Sequence, residues 1–273
     1  GQHLGSHGAV FSGTDYIIPG FFTQQGYQQN FVVKGAGLVS AIMRDNWVLG
    51  EGADISEMDL RRLMVELEQL YFRDYANHWS EAVSRIQIQG FTAASDGSDQ
   101  MASLTAAHSP LLQLLMQIRD NTRFQTLAEN AAALKSVESE KAGAITKVAT
   151  AAAEQAQDAV AKALPDTAKK SLQRRFEPLH RLLDENNGPA ADLLPALQAL
   201  NELQTQLSGL ARSSQQEQAA YELAKARMAG QRDAISSLRN ASRRLPAPVN
   251  GWLDATADDT WSLVLSGAYQ HLN

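Results

Sequence analysis

The chain has no cysteine. That absence excludes disulfides, Cys-ligated zinc and thiol nucleophiles. It lacks an excess of basic charge: 24 Lys and Arg stand against 30 Asp and Glu, for a formal net charge of −6. A protein that reads phosphate backbones needs a basic face, so nucleic acid is not expected as a partner. No run of about 18 apolar residues occurs, so no direct membrane insertion is expected, and no charged-then-apolar leader opens the chain. Proline is sparse, with 8 in 273 residues, and aromatics make up only 7%. Few residues therefore interrupt helices, and the few aromatics matter where they gather. Residues 1–8, Gly-Gln-His-Leu-Gly-Ser-His-Gly, read as an artificial leader or a disordered end.

The aromatics gather first at Ile18-Pro19-Gly20-Phe21-Phe22-Thr23-Gln24-Gln25-Gly26-Tyr27. Pro19 fixes φ and Gly20 is permissive, so a turn is predicted. Phe21, Phe22 and Tyr27 carry too much apolar area to stay in water, so the segment is expected to act as a clamp that docks its rings into a helical bundle. Thr23 is suited to cap a short helix from Gln24 to about Phe31.

Most of the remaining chain shows helical periodicity. From Ser56 to about Ile88, Leu60, Leu63, Leu67, Leu70, Tyr71, Tyr75, Trp79, Ala82 and Ile86 form one predicted apolar stripe. Ser95-Asp96-Gly97-Ser98-Asp99 reads as a polar loop. Ser109-Pro110 starts a helix that Asn121-Thr122 closes. The Ala-rich stretch 127–163 has high helix propensity but sparse large apolars (Leu134, Val137, Ile145, Val148, Val160), and is expected to pack weakly. Further helices are predicted from Asp166, kinked at Pro178 and broken at Asn186-Asn187-Gly188-Pro189; from Ala190 to Ala211; from Gln215 to Arg244; and, in two pieces, over Val249–Leu253 and Asp258–Leu272. The fold class is all-α, an elongated multi-helix bundle over 9–273, with possible sub-bundles at 9–126 and 164–273 joined by 127–163.

Candidate chemistry is thin. Lys34-Gly35-Ala36-Gly37-Leu38-Val39-Ser40 follows Phe31-Val32-Val33 and nearly matches a dinucleotide loop. Ser40 replaces the third glycine and no parallel-sheet pattern surrounds it, so a helix–helix turn is the better reading. Glu177-Pro178-Leu179-His180 has the Glu-x-x-His spacing of carboxylate-bridged di-iron bundles, but that site needs two such motifs and two more carboxylates. A surface Glu and His on a kinked helix is expected instead. His78, between Asp74 and Glu81, offers too few ligands for a metal. Lys169, Lys170, Arg174, Arg175 and Arg181 form one basic cluster, and Arg243 with Arg244 another. Solvated faces are the plain reading, with contact to an acidic partner the sharper one. The Leu193–Leu210 stripe reads as core sooner than as a partner groove. No Walker loop, nucleophile elbow or His-Glu-x-x-His occurs. No catalytic, cofactor-binding or metal residues are assigned, no cofactor is expected, and the chain is not expected to be an enzyme.

Several short stretches taken together resemble the TssM (IcmF) family of the bacterial type VI secretion system. They are Ile18-Pro-Gly-Phe-Phe-Thr23 with Gly26-Tyr27; Trp47-Val-Leu-Gly50; Leu70-Tyr71 and Asp74-Tyr75 with Trp79; Ser109-Pro-Leu111 with Leu114-Leu115, Ile118 and Thr122; Phe176 with Pro178-Leu179; and Leu245-Pro-Ala-Pro-Val-Asn-Gly-Trp252 with Trp261. The resemblance runs from about Phe11 to Asn273. It implies the helical part of the periplasmic region of an inner-membrane-anchored protein. It further implies a structural role, as a periplasmic scaffold between the inner-membrane anchor and the outer-membrane lipoprotein TssJ. TssJ contacts are expected mostly through a β-rich domain that would follow Asn273. Other TssM copies and the inner-membrane protein TssL are the remaining implied partners. A helical adaptor for a soluble effector or assembly factor is the alternative.

Overall fold

Pro19 and Gly20 bend the chain into a single 3-10 turn, Gly20–Phe22, and Thr23 then starts a helix. In the computed structural model, which describes residues 1–4, 10–49, 57–124 and 167–273, Thr23 caps as predicted. Its Oγ1 accepts from the Gly26 amide at 3.0 Å and donates to the Gly20 carbonyl at 2.8 Å. The helix does not stop near Phe31. Helix α1, Gln24–Gly26, passes through a π-helical stretch, Tyr27–Val32, into α2, Val33–Leu49. Phe31-Val32-Val33 and the turn expected at Gly35–Ser40 are thus helix interior. Val32 and Val33 continue the helix despite their β-branching, and Gly35 lies near α3, Glu57–Arg85. A Cβ at Gly35 would lie 3.1 Å from the Met64 methyl.

Contacts divide the chain into two compact units, each drawn from separate stretches of sequence. Among the described residues the first comprises 1–2, 17–49, 57–80, 120–124 and 167–176, the second 3–4, 10–16, 81–119 and 177–273. The units are therefore interleaved along the chain, unlike the consecutive sub-bundles expected at 9–126 and 164–273. The stretch 127–163, expected to pack weakly, lies outside the described residues, as does Ser56.

In unit one, α3 buries Met64, Tyr71, Phe72, Tyr75, Ala76 and Trp79. The single stripe read from sequence is in fact two rows. Tyr71, Tyr75 and Trp79 point inward, whereas Leu63, Leu67 and Leu70 are 40%, 36% and 48% exposed. At 100° per residue the leucine row is turned about 110° from the aromatic row.

In unit two, β1, Phe11–Ser12, pairs antiparallel with β2, Gln87–Ile88, Phe11 opposite Ile88. The Phe11 ring lies 5.5 Å from that of Trp252, whose indole N–H donates to the Ile86 carbonyl at 2.8 Å. Residues 2–4 are folded, contrary to the expected frayed end: Leu4 is buried, and Gln117 donates to the His3 carbonyl. The expected loop 95–99 is helical. It opens α4, Ala94–Thr105, which packs on α7, Leu194–Arg212. Its polar residues form the outer face. Gly97 allows the approach, since a Cβ there would lie 2.6 Å from the Phe91 ring and 3.0 Å from Leu207.

Helix α5, Pro110–Thr122, starts where predicted, with Ser109 Oγ accepting from the Leu111 amide. Helix α6, Thr167–His180, carries Pro178 in its last turn. In the 184–188 loop, Asp184 Oδ1 accepts from the Asn186 and Gly188 amides, Asn187 takes φ 65°, and Arg119 donates to Asn187 Oδ1. The predicted helix 215–244 is two helices, α8, Gln216–Met228, and α9, Ala234–Ser242. Gly230 takes φ 84°, and Asp233 caps α9 by accepting from the Ser236 amide. The two predicted C-terminal pieces are one helix, α10, Val249–Leu272, since nothing in Asp254-Ala-Thr-Ala-Asp258 breaks it. Helix α10 packs against α8 and α9. At Gly267 a Cβ would meet Ala220 at 2.7 Å, so the glycine brings α8 and α10 into close contact.

Candidate functional site

The most specific construction in unit one is the turn at Phe21–Phe22. It is held by its carbonyls as much as by its rings. The Tyr71 hydroxyl donates to the Phe21 carbonyl at 2.5 Å, and the Trp79 indole N–H to the Phe22 carbonyl at 2.7 Å. One turn of α3 away from both, Tyr75 donates to the Asn121 carbonyl, and Asn121 Oδ1 accepts from the Gln24 amide at 3.2 Å. Tyr71, Tyr75 and Trp79 recur every four residues, so one helix face presents three polar ring edges in a row. Around them the rings interlock. Phe22 stacks on Tyr71 at 5.4 Å and on His78 at 4.8 Å, and Tyr27 packs against Phe31, Phe72 and Phe124.

The expected docking of all three rings of the segment is met by Tyr27, met halfway by Phe22 and not met by Phe21. Phe21 touches Tyr71 edge-on at 4.9 Å yet stays 39% exposed. Burial pushes the Tyr71 and Tyr75 hydroxyls far above the ordinary tyrosine range, and the neighbouring Tyr71 adds to the effect on Tyr75. Both are therefore permanent donors.

The residues singled out in the sequence are scattered. Gly35, Gly37 and Ser40 lie within α2. Glu177 pairs with Arg181 at 3.0 Å, and His180 is buried, so the expected surface histidine is corrected. His78 stacks on Phe22, while Asp74 sits 3.7 Å from Arg73 and Glu81 2.8 Å from Arg85. No trio of His, Asp or Glu among the described residues is placed to hold a metal. The first basic cluster is dispersed: Lys169 sits over the Tyr27 ring at 4.7 Å, Arg181 is engaged with Glu177, and Arg174 and Arg175 are exposed. Arg243 and Arg244 are exposed past the end of α9. The Leu193–Leu210 row is core, with Leu193, Leu200, Leu203, Leu207 and Leu210 buried.

Two open grooves in unit two escaped the sequence reading, because their linings come from distant stretches. One, of about 640 Å³ between α7 and α9, is lined by Glu202, Gln206, Arg232, Asn240 and Arg244. The other, of about 900 Å³, lies among Ser95, Ser213, Gln216, Ser266 and His271. Beside the first, Arg227 joins three helices. It pairs with Asp233 at 2.9 Å, donates to Ser236 and lies 4.9 Å over the Trp261 ring. Elsewhere in unit two, burial raises the Asp259 carboxyl above the usual carboxylate range, an effect the Phe91 backbone hydrogen bond opposes and the charge of Asp258 reinforces. No helix among the described residues is long and apolar enough to cross a membrane.

Three comparisons with known proteins agree. The family described as "IcmF-related: Intracellular multiplication and human macrophage-killing" matches residues 2–123, which include the clamp turn and its partners on α3. A curated relative, "Type VI secretion system component TssM1" of Pseudomonas aeruginosa, is 28% identical over 109 residues, which is 40% of this chain and 10% of that protein. A solved structure, "Type VI secretion system membrane core complex", superposes with a TM-score of 0.60 at 15% identity and covers 98% of this chain and 46% of the matched chain. At that identity the superposition speaks for the fold. The chain thus spans less than half of either relative.

Proposed function

Since the chain belongs to the TssM (IcmF) family, we propose that it is a structural component of a type VI secretion membrane complex. In this reading it is a periplasmic scaffold that links an inner-membrane anchor to the outer-membrane lipoprotein TssJ. The observation that carries the reading is the coincidence of the family match, residues 2–123, with the aromatic clamp. The matched range includes the residues that hold the turn in place. A scaffold works by keeping its surfaces at fixed separation. Donors that never titrate near neutral pH and interlocked rings serve that task without bond chemistry. Other TssM copies and the inner-membrane TssL are the further proposed partners. No observation favours the adaptor for a soluble effector.

The test is a pull-down from envelope extracts with this chain and with a version extended past Asn273. The extended version is expected to capture TssJ, and this chain alone to capture much less. Failure of both to recover any envelope component would overturn the reading. So would a full gene without membrane spans upstream of Gly1.

A further inference from the structure

The lining of the groove between α7 and α9 runs from Pro195 to Gln206 along one wall and from Arg232 to Arg244 along the other. At 1.5 Å per residue each wall is about 16–18 Å long. An extended chain rises about 3.3 Å per residue, so five or six residues span that length. Arg232 and Arg244 stand at the two ends of the α9 wall. Both are exposed, and no acid among the described residues pairs with either. Of the lining acids, Asp233 is taken by Arg227 at 2.9 Å. That leaves Glu202 alone against two free guanidinium groups. In a chain of net charge −6 this is a local excess of positive charge.

Between its charged ends the groove is neutral and polar, with side chains such as Ser237 and Asn240 that both donate and accept. Gln206 gives the sharper sign. Its Oε1 is buried and accepts no hydrogen bond. An acceptor held that way costs free energy. The amide therefore loses no bond by turning to a donor, and a backbone N–H laid along the groove is such a donor. The acidic partner weighed for Arg243 and Arg244 from sequence thus has a structural place at Arg244, whereas Arg243 lies outside the lining.

We propose that the α7–α9 groove of unit two binds an extended acidic segment of a partner protein. Two carboxylates about 18 Å apart are held by Arg232 and Arg244, and the backbone between them by the neutral wall and Gln206. Arginine suits the task because its planar fork takes a carboxylate through two parallel hydrogen bonds. This binding goes beyond the scaffold reading and does not involve TssJ, so its failure leaves that reading standing.

The probe is a fluorescein-labelled hexapeptide with glutamate at both ends and serine and alanine between, followed by anisotropy against the whole chain. Saturable binding is expected, weakening several-fold as salt rises from about 0.05 to 0.2 M. Glutamine at both ends should cost at least about tenfold. Two adjacent glutamates at one end should bind less well than the separated pair, because they reach one arginine only. Arg232→Glu and Arg244→Glu should each weaken binding about tenfold with unchanged circular dichroism, since both side chains are exposed. Glu202→Gln should tighten it about twofold by removing a like charge. No saturable binding to the folded chain overturns the proposal, as does equal binding of the glutamine-ended peptide. Unchanged affinity in the two arginine variants overturns it as well. So does a dimer of the chain alone that Arg244→Glu dissolves, because the groove is then filled by a second copy.

Discussion

The two units solve the same packing problem by opposite means. Unit one is fastened by the polar edges of large rings: Tyr71, Tyr75 and Trp79 donate to the backbone carbonyls of Phe21, Asn121 and Phe22. Unit two is fastened by the closeness of its helices. Gly97 admits Phe91 and Leu207, Gly267 admits Ala220, and an Arg227–Asp233 pair ties the ends of α8 and α9. The difference shows how a chain with only 7% aromatics can build a ring-based core: it gathers most of them around α3, leaving Phe11 against Trp252 as the ring pair of unit two. It also predicts different weak points, since the first unit fails when a donor is lost and the second when a small residue grows.

The largest expected effect is in unit one. Trp79→Ala removes a fully buried ring and should cost about 3–5 kcal/mol in urea unfolding. Gly26→Ala comes next. A Cβ there would lie 2.1 Å from the Gly20 carbonyl oxygen, an approach that only backbone movement can relieve, so about 3 kcal/mol is expected. Its counterpart in unit two, Gly97→Ala, meets side chains that can shift, so it should cost less, about 1–2 kcal/mol. If Gly97→Ala proved the costlier of the two, the contrast between backbone and side-chain closure would be wrong. Asp233→Ala deletes the cap of α9 and the partner of Arg227, for about 1–2 kcal/mol by thermal melting.

Asp259→Asn should have the smallest effect, and its sign is diagnostic. The folded state raises this carboxyl's pKa, so it holds the proton more tightly than the unfolded chain does. Stability from this group is therefore greatest below the unfolded carboxylate pKa and falls as pH rises through the folded one. The asparagine should be equal to or slightly more stable than the parent at neutral pH, and indistinguishable from it in acid. Greater stability of the parent at neutral pH would contradict the burial argument.

Much of the fold was legible in the sequence. Ser109-Pro110 and Thr23 announced their helices because capping is a local event. Gly230 with Asp233 offered an equally local stop and start, and could have divided α8 from α9. Helix α4 was not legible, because Ser95-Asp96-Gly97-Ser98-Asp99 is polar and glycine-bearing, and only α7 beneath it makes that glycine useful. The stripe on α3 was misread because Leu63, Leu67 and Leu70 differ in helical phase from Tyr71, Tyr75, Trp79 and Ile86. The clamp was half legible. The aromatic turn was visible, but that its carbonyls would receive ring donors from residues some fifty positions away is tertiary information. The grooves of unit two were not legible for the same reason.

The central claim is that ring donors on α3 hold the Phe21–Phe22 turn. Amide exchange by NMR in the parent and in Trp79→Phe, which keeps an aromatic ring and deletes the indole N–H together with the five-membered part of the indole, tests it most directly. Protection at Phe22, Gly26 and Tyr27, whose amides bond within the turn, should fall several-fold while the α10 amides of unit two keep theirs. Unchanged protection at those three amides would contradict the account.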